Sequence, residues 1–587
     1  MHESTASRDQ TLVSSSALFF LLLTAGLALR LWMAHAIFLN PDEALHYLLS
    51  VQPSLAETYQ ATLSTAHPPL YIVFLHYWGY VGHSEFFLRL PSVAAYLAFC
   101  GMMFLWLEKV ATRKVALLAF GLLLFSPALV YLSTELRQYP FLLFFCSSAL
   151  YFLERACLRN SLTALVLSGL ALWLALLTHY SALFFTFNLG LYGLSRIWSA
   201  RPRTKFIGVW VATQFVALAI VAVLLKSHIL RLLSTGQADA IADTYLRGSI
   251  FHRAQDHAVS FVFKTTIRLF HFFFSQEVVG IAGLLLFVYA VIHLWRNPRD
   301  PRGASQPSSR QIAFLLAFPL ILHCTLALAA IYPYGGTRHD SYLAIFVISG
   351  IAMALARWTP RRTWIPGATI AVVLLVCNLF PAATGQFLTP RNQSRQVMQD
   401  AVNFLSALPP GSIIFTDNQG GLLLSYYLCD RKVVLFDRPY EDLFMAPCGD
   451  HQVVTLDPRK WIFQAATFPD ELGGLQQKYN PKSEHPIWVF QAGWLIDKEP
   501  EFRAKLRQFG CPATYDFGRN ILVCQLNSNQ SKALGGAGGR ANEFIRMAES
   551  WSQILESPGV VSRSLGADAA LVPIFPAELS FYLGSRD

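Results

Sequence analysis

Long apolar stretches separated by short polar interruptions run through the first two thirds of the chain. Those long enough to cross about 30 Å of hydrocarbon fall near 14–38, 89–108, 115–133, 139–154, 161–178, 181–197, 206–226, 278–295, 312–331, 341–356 and 364–384. The pattern predicts eleven membrane-crossing helices. Ala34-His35-Ala36 resembles a signal cleavage site, but the first run is longer than a signal core and Arg30 interrupts it, so it reads as an uncleaved anchor. Residues 39–88 hold an expected interfacial helix at Ala44–Leu49 and an apolar stretch, Tyr71–Tyr80, too short to span. Residues 227–277 mix charge with Phe270–Phe274 and are expected to lie partly on the membrane. In 385–527 the pattern changes. Ile413–Phe415, Val433–Phe436, Trp488–Phe490 and Ile521–Cys524 read as strands and Gly420–Leu428 as a helix, which makes an α/β domain. The tail, 528–587, opens on the flexible run Gly535-Gly536-Ala537-Gly538-Gly539 and carries no functional signal. The division is a transmembrane domain over 1–384 with outer loops 39–88 and 227–277, then 385–527, then the tail.

Composition agrees. Of 587 residues, 54% are hydrophobic and 14% charged, against about 25% charged in soluble domains, and the mean hydropathy is +0.40. Disorder, collagen and a small disulfide scaffold are excluded, and the fold class is a polytopic α-helical membrane protein. A net charge of +10 would suit nucleic acid, but its placement says otherwise. With a cytoplasmic N-terminus, inside loops collect Lys109, Arg113 and Lys114, then Arg155 and Arg159, Arg196 to Lys205, Arg296 to Arg310, and Arg357 to Arg362. The short outer segments hold only Arg89, Arg137 and Arg338. Basic residues gather on the cytoplasmic side, so the excess is an orientation signal and no nucleic-acid partner is expected. The expected place is the inner (plasma) membrane, with the bilayer as partner and the α/β domain outside the cytoplasm. There Cys429, Cys448, Cys511 and Cys524 could form two bridges. Their pairing is not legible in the sequence.

With that topology, the unusual polar clusters near the spans fall at one membrane face: Asp42-Glu43, His67-Pro68-Pro69, Glu135 with Arg137 and Tyr139, Thr178-His179-Tyr180, and Tyr334 to His339. They are expected to converge on one cavity. An isolated acid pair is most often merely solvated, yet a carboxylate in this apolar surround can act as general base or hold a metal. An arginine at a membrane surface is commonly a snorkelling anchor, but its planar fork also binds phosphate. Tyr139 and Tyr334 suit a sugar face or a phosphate oxygen, beside the commoner belt role. His67 has a plain reading as the cap of a short helix. His46, His67 and His179 with Glu43 form a candidate divalent-metal set that lacks close ligand spacing. There is no Asp-x-Asp, Walker loop or Rossmann fingerprint, which disfavours a nucleotide-sugar or ATP-dependent enzyme.

Leu29-Arg30-Leu31, Asp42-Glu43, His67-Pro68-Pro69-Leu70-Tyr71, Phe87-Leu88-Arg89-Leu90-Pro91-Ser92, Ser126-Pro127, the Glu135, Arg137 and Tyr139 set, and Thr178-His179-Tyr180 follow one another in order. The series resembles the GT-C glycosyltransferases of the protein O-mannosyltransferase and lipid A aminoarabinose transferase superfamily, over residues 15–200 and again at Tyr332–Tyr342. The resemblance implies a GT-C membrane domain that moves a sugar from a polyprenyl-phosphate donor to an extracytoplasmic glycan, lipid or protein. It maps the base onto Asp42, with Glu43 orienting the base, the acceptor or a metal. Arg137 and Arg338 are then candidates for neutralising the phosphate, and Tyr139, His339, Glu135, His67 and His179 for the rest of the donor site. In-line attack inverts the anomeric carbon. The lipid-linked sugar is the only cofactor-like molecule implied, with a divalent metal as an option. Tyr426-Tyr427-Leu428 is similar to a pattern in bacterial members, whereas no lysine accompanies the arginines in the outer loops nearest the acids. A transporter or flippase for a lipid-linked saccharide is the alternative, with Arg30 and Glu135 as pathway charges, although the broken helices and repeat symmetry expected of one are not seen. An oligosaccharide transferase is a third reading, against which no two tryptophans adjoin.

Overall fold

The computed structural model describes residues 3–63, 65, 67–200, 204–230, 246–297, 306–358, 364–379, 394–429, 443–457, 460–494, 500–509, 511, 514–517 and 521–527. The expected strand at Val433–Phe436 and the tail from 528 lie outside them. The chain forms two compact units. One contains the described parts of 1–36 and 49–387, and the other contains 37–48 with the described parts of 388–574.

The first unit is a multi-pass helical membrane domain. Seven of its helices are long and apolar enough to span: Ala17–Ala36, Glu85–Val110, Tyr139–Arg159, Thr204–Ile229, Glu277–Arg296, Ser309–Leu328 and Arg338–Trp358. An eighth is Arg113–Phe125 with Pro127–Thr134, bent by 61°. The break has a sequence cause: Ser126 is extended, Pro127 follows at the first helical position, and Ser126 Oγ donates to Phe273 O at 2.7 Å. The other three expected spans coincide with the helices Leu162–Leu176, Ala182–Ala200 and Trp364–Leu379. The count of eleven is therefore not established; seven or eight segments qualify among the described residues.

Burial separates inner helices from outer ones. The Arg338–Trp358 span is 72% buried, whereas Thr204–Ile229 is 17% buried and exposes Phe215, Leu218 and Val223. An apolar surface of that kind suits lipid contact. Arg30, the charge inside the first span, is fully buried. Its Nε donates to Ser133 Oγ at 2.8 Å, its Nη1 to Gly26 O and Leu124 O at 2.9 Å, and its guanidinium lies 4.4 Å over the Tyr96 ring. Glu154 and Arg196 form a second buried pair at 3.0 Å, with Tyr192 donating to Glu154. These charges tie helices together, which accounts for Arg30 without a transport pathway.

The second unit holds a six-stranded sheet ordered β2-β3-β1-β4-β6-β5, with β1 Ile413–Thr416, β2 Leu443–Cys448, β3 His451–Leu456, β4 Ile487–Ala492, β5 Thr514–Asp516 and β6 Ile521–Gln525. Central β1 runs parallel to β3 and β4, and the remaining pairs are antiparallel. β1 and β4 are buried along their whole length, as strands covered on both faces should be. Phe415, Phe463, Phe468 and Phe502 pack under the sheet, with Phe415 and Phe463 centroids 5.0 Å apart. The expected helix appears as Asn418–Tyr427. Cys429 bonds to Cys448 and Cys511 to Cys524, which supplies the pairing that the sequence left open.

Candidate functional site

Within the membrane domain, several predicted residues come together. Glu135 follows the helix Pro127–Thr134, and Arg137, Gln138 and Tyr139 lead into the next helix. Arg338 opens a 3-10 turn, Arg338–Leu343, ahead of the last inner helix. Arg338 Nη2 meets Glu135 Oε1 at 3.2 Å, with side chains 5% and 9% exposed. Arg137 lies beside Tyr139, its Nη2 3.5 Å from the phenol oxygen and its guanidinium 5.5 Å from the ring centre. Ser92 Oγ donates to Arg137 O, and Tyr71 OH lies 3.3 Å from Ser92 Oγ, so the Arg137 backbone is held by two of the family-like motifs.

Three imidazoles stand side by side. The ring centres of His67 and His179 are 5.9 Å apart, those of His179 and His339 are 6.0 Å apart, and Tyr139 lies 5.2 Å from His179. Gln138 Nε2 donates to His67 Nδ1 at 3.1 Å. His67 does not cap the helix Leu70–Gly79, because Pro69 takes that position with no side-chain cap. Ser181 N donates to His179 Nδ1 at 3.1 Å, which leaves the neutral ring's proton on Nε2. Tyr334, by contrast, is buried with its hydroxyl 3.2 Å from Thr266 Oγ1.

The Arg338 loop is shaped by a residue that the sequence reading passed over. Asp340 Oδ2 accepts from Gly335 N, Gly336 N, Thr337 N and Thr337 Oγ1 at 3.1–3.2 Å. Its Oδ1 lies 3.3 Å from His323 Nδ1, and His323 Nε2 lies 2.7 Å from Tyr342 OH. Gly335 and Gly336 have φ of +128° and +83°, and a Cβ on Gly336 would stand 2.4 Å from Arg268 O. Only glycine fits that close approach. The available signals were the Thr-x-x-Asp spacing of a reciprocal cap and a histidine inside an apolar span.

Asp42 and Glu43 belong to the other unit, in the helix Pro41–Ser50. Glu43 is buried and closes a reciprocal cap: Asn40 N donates to Glu43 Oε2 at 2.8 Å and Glu43 N donates to Asn40 Oδ1 at 2.9 Å. Asp42 is partly exposed, and His46 Nδ1 donates to its carbonyl at 2.7 Å. Glu43 thereby sets the helix start from which Asp42 projects. Among the described residues, no group of three or more His, Cys, Asp or Glu side chains stands at metal-holding range.

The membrane domain thus carries a cluster of cationic and imidazole side chains near its helix ends. Residues 66–225, which include His67, Glu135, Arg137, Tyr139 and His179, match the family model described as dolichyl-phosphate-mannose-protein mannosyltransferase. The match falls on the stretch over which the motifs carry the resemblance. No curated protein sequence matches. Among solved structures, the chain is similar to ArnT from Cupriavidus metallidurans in the apo state, with 12% identity, a TM-score of 0.48, and 89% of this chain and 99% of that one covered. ArnT bound to undecaprenyl phosphate gives 12%, 0.48, 88% and 98%. The archaeal oligosaccharyltransferase AglB from Archaeoglobus fulgidus, in complex with an inhibitory peptide and a dolichol-phosphate, gives 9%, 0.41, 70% and 63%.

Proposed function

We propose that the protein transfers a sugar from a polyprenyl-phosphate donor to an extracytoplasmic glycan, lipid or protein, with inversion and with Asp42 as general base. The observation that carries this reading is the pairing of Arg338 with Glu135, Arg137 beside Tyr139, and the row of His67, His179 and His339 with Gln138 donating to His67. Such an array of donors suits anionic oxygens, and the matched family uses a lipid phosphate as sugar carrier by its description. The polar clusters and the basic loops support an N-terminus in the cytoplasm and the chemistry outside it. The two disulfides agree, since such bonds persist in oxidising compartments.

The reaction is a single displacement. Asp42 takes the proton of the acceptor hydroxyl as its oxygen bonds to the anomeric carbon. The bond from that carbon to the phosphate oxygen breaks, and polyprenyl phosphate leaves with the electron pair. Arg137 and Arg338 stabilise the charge gathering on the phosphate, and Tyr139, His67, His179 and His339 orient the donor. A phosphate so neutralised leaves without a second acid. Glu43 fixes the helix that presents Asp42. The test is reconstitution in liposomes with a synthetic polyprenyl-monophosphate sugar. Free polyprenyl monophosphate and an acceptor glycoside of opposite anomeric configuration are expected. Retained configuration would overturn the single displacement, and passage of intact donor across the bilayer without bond cleavage would favour the flippase.

A further inference from the structure

The α/β domain contains a clamp on the helix that carries Asp42. Residues 37–48 group with that domain, not with the membrane helices that precede and follow them in sequence. Ile37 forms an antiparallel bridge with Ser394. Leu39 N donates to Tyr427 Oη at 2.9 Å, and Tyr47 packs edge-on against Tyr426 with ring centres 5.1 Å apart. Leu39 is fully buried, and Tyr47 and Tyr426 nearly so. The helix is therefore held before its first turn and near its last.

Tyr426 and Tyr427 are themselves rigidly placed. They end the helix Asn418–Tyr427, whose start is capped by Asp417 Oδ1 accepting from Gly420 N at 2.9 Å. A Cβ on Gly420 would stand 2.0 Å from Thr416 Oγ1 and one on Gly421 would stand 2.1 Å from Thr455 Cγ2, so this helix lies directly on β1 and β3. Trp494 N donates to Gln419 Oε1 at 2.8 Å, and Cys429, two residues past the helix, is bonded to Cys448 on β2. Sheet, helix, Tyr427 hydroxyl, Leu39 amide and the Asn40–Glu43 cap thus form one continuous path of short contacts to Asp42.

We propose that Tyr426 and Tyr427 are positioning residues for the transfer reaction: the folded α/β domain sets the place of Asp42 through them. The proposal rests on the reading of Asp42 as the base. Tyr427→Phe keeps the ring and removes the hydroxyl that accepts from the buried Leu39 amide, a loss large enough to unlatch the Leu39 end locally. Misplacing a reacting group lowers turnover more than donor affinity.

The experiment uses the full chain in liposomes. Tyr427→Phe is expected to lower kcat about ten-fold with donor KM within about two-fold. Amide exchange at Leu39 and along 44–48 should quicken, while β1 (413–416) stays protected. Unchanged kcat with unchanged exchange at Leu39 would overturn the clamp, and so would equal loss of protection in β1, which marks a general folding defect. Tyr47→Leu and Tyr426→Leu supply a second line: the two single changes should lower kcat alike, and the double variant no further than either. Full additivity contradicts the proposal. Failure of the base assignment is distinguishable, because Asp42→Asn would then stay active while Tyr427→Phe still loosens Leu39.

Discussion

The ion pair between Arg338 and Glu135 gives the proposed donor site a prediction of sign as well as size. The two groups meet at 3.2 Å and are 5% and 9% exposed. At an effective dielectric constant of about 20 their gross attraction is on the order of 5 kcal/mol, and removing one partner of a buried pair costs about 3–5 kcal/mol. Arg338→Gln and Glu135→Gln should therefore both lower thermal stability. Their effects on an anionic ligand should be opposite. Glu135→Gln raises the local potential by one charge and Arg338→Gln lowers it by one, while the double variant restores the starting sum. For an anion on the order of 6 Å away, each change is worth on the order of 1–3 kcal/mol, or about 5–150-fold in affinity. Equilibrium binding of polyprenyl monophosphate to the purified protein at low salt reads this directly. Tighter binding is expected for Glu135→Gln, weaker for Arg338→Gln, and near-original binding for the double variant. Weaker binding in both single variants, or none altered, would refute the reasoning and leave the pair a structural brace.

Other consequences follow from single residues. Gly336→Ala places a Cβ 2.4 Å from Arg268 O at φ +83°; the backbone alone costs about 1–2 kcal/mol, so a lower melting temperature and weakened phosphate binding are expected. Asp340→Asn weakens the link to His323 and the hold on three loop amides, and should raise donor KM about ten-fold or more while β1 keeps its exchange protection. Burial pushes the Asp417 carboxyl up to about 7 from an ordinary 3.8. Between those values the folded state binds more protons than the unfolded one, so the stability of the α/β domain should fall as pH rises, by up to about 1.4 kcal/mol per pH unit. Asp417→Asn keeps the cap and should flatten that dependence, read as β1 amide exchange at pH 5 against pH 7; Glu471, also pushed up by burial, leaves a smaller residual slope.

What the sequence revealed depended on the range of the interaction. Membrane spans are local runs of apolar residues and seven or eight were legible, while Leu162–Leu176, Ala182–Ala200 and Trp364–Leu379 are helices that do not qualify as spans. The convergence of His67, His179 and His339 was legible only through topology, since shared membrane depth implies proximity even for residues more than a hundred positions apart. Asp340 and His323 were missed because Asp340 holds Gly335 to Thr337 through a Thr-x-x-Asp cap, a spacing that reads as local structure rather than as chemistry. Glu43 shows the reverse case: an acid read as chemistry is found closing a cap with Asn40. The attachment of residues 37–48 to the α/β domain was invisible, because Leu39 and Tyr427 meet across 388 positions.

The measurement that bears most directly on the account is transfer by Asp42→Asn, made as full-length protein in liposomes with a polyprenyl-monophosphate sugar and its acceptor. A positioned base contributes about 10²–10⁴-fold. The account predicts that the variant folds, binds polyprenyl monophosphate within about two-fold of the original protein, and loses transfer by at least that lower factor. Transfer at the original rate by a well-folded Asp42→Asn protein would contradict it.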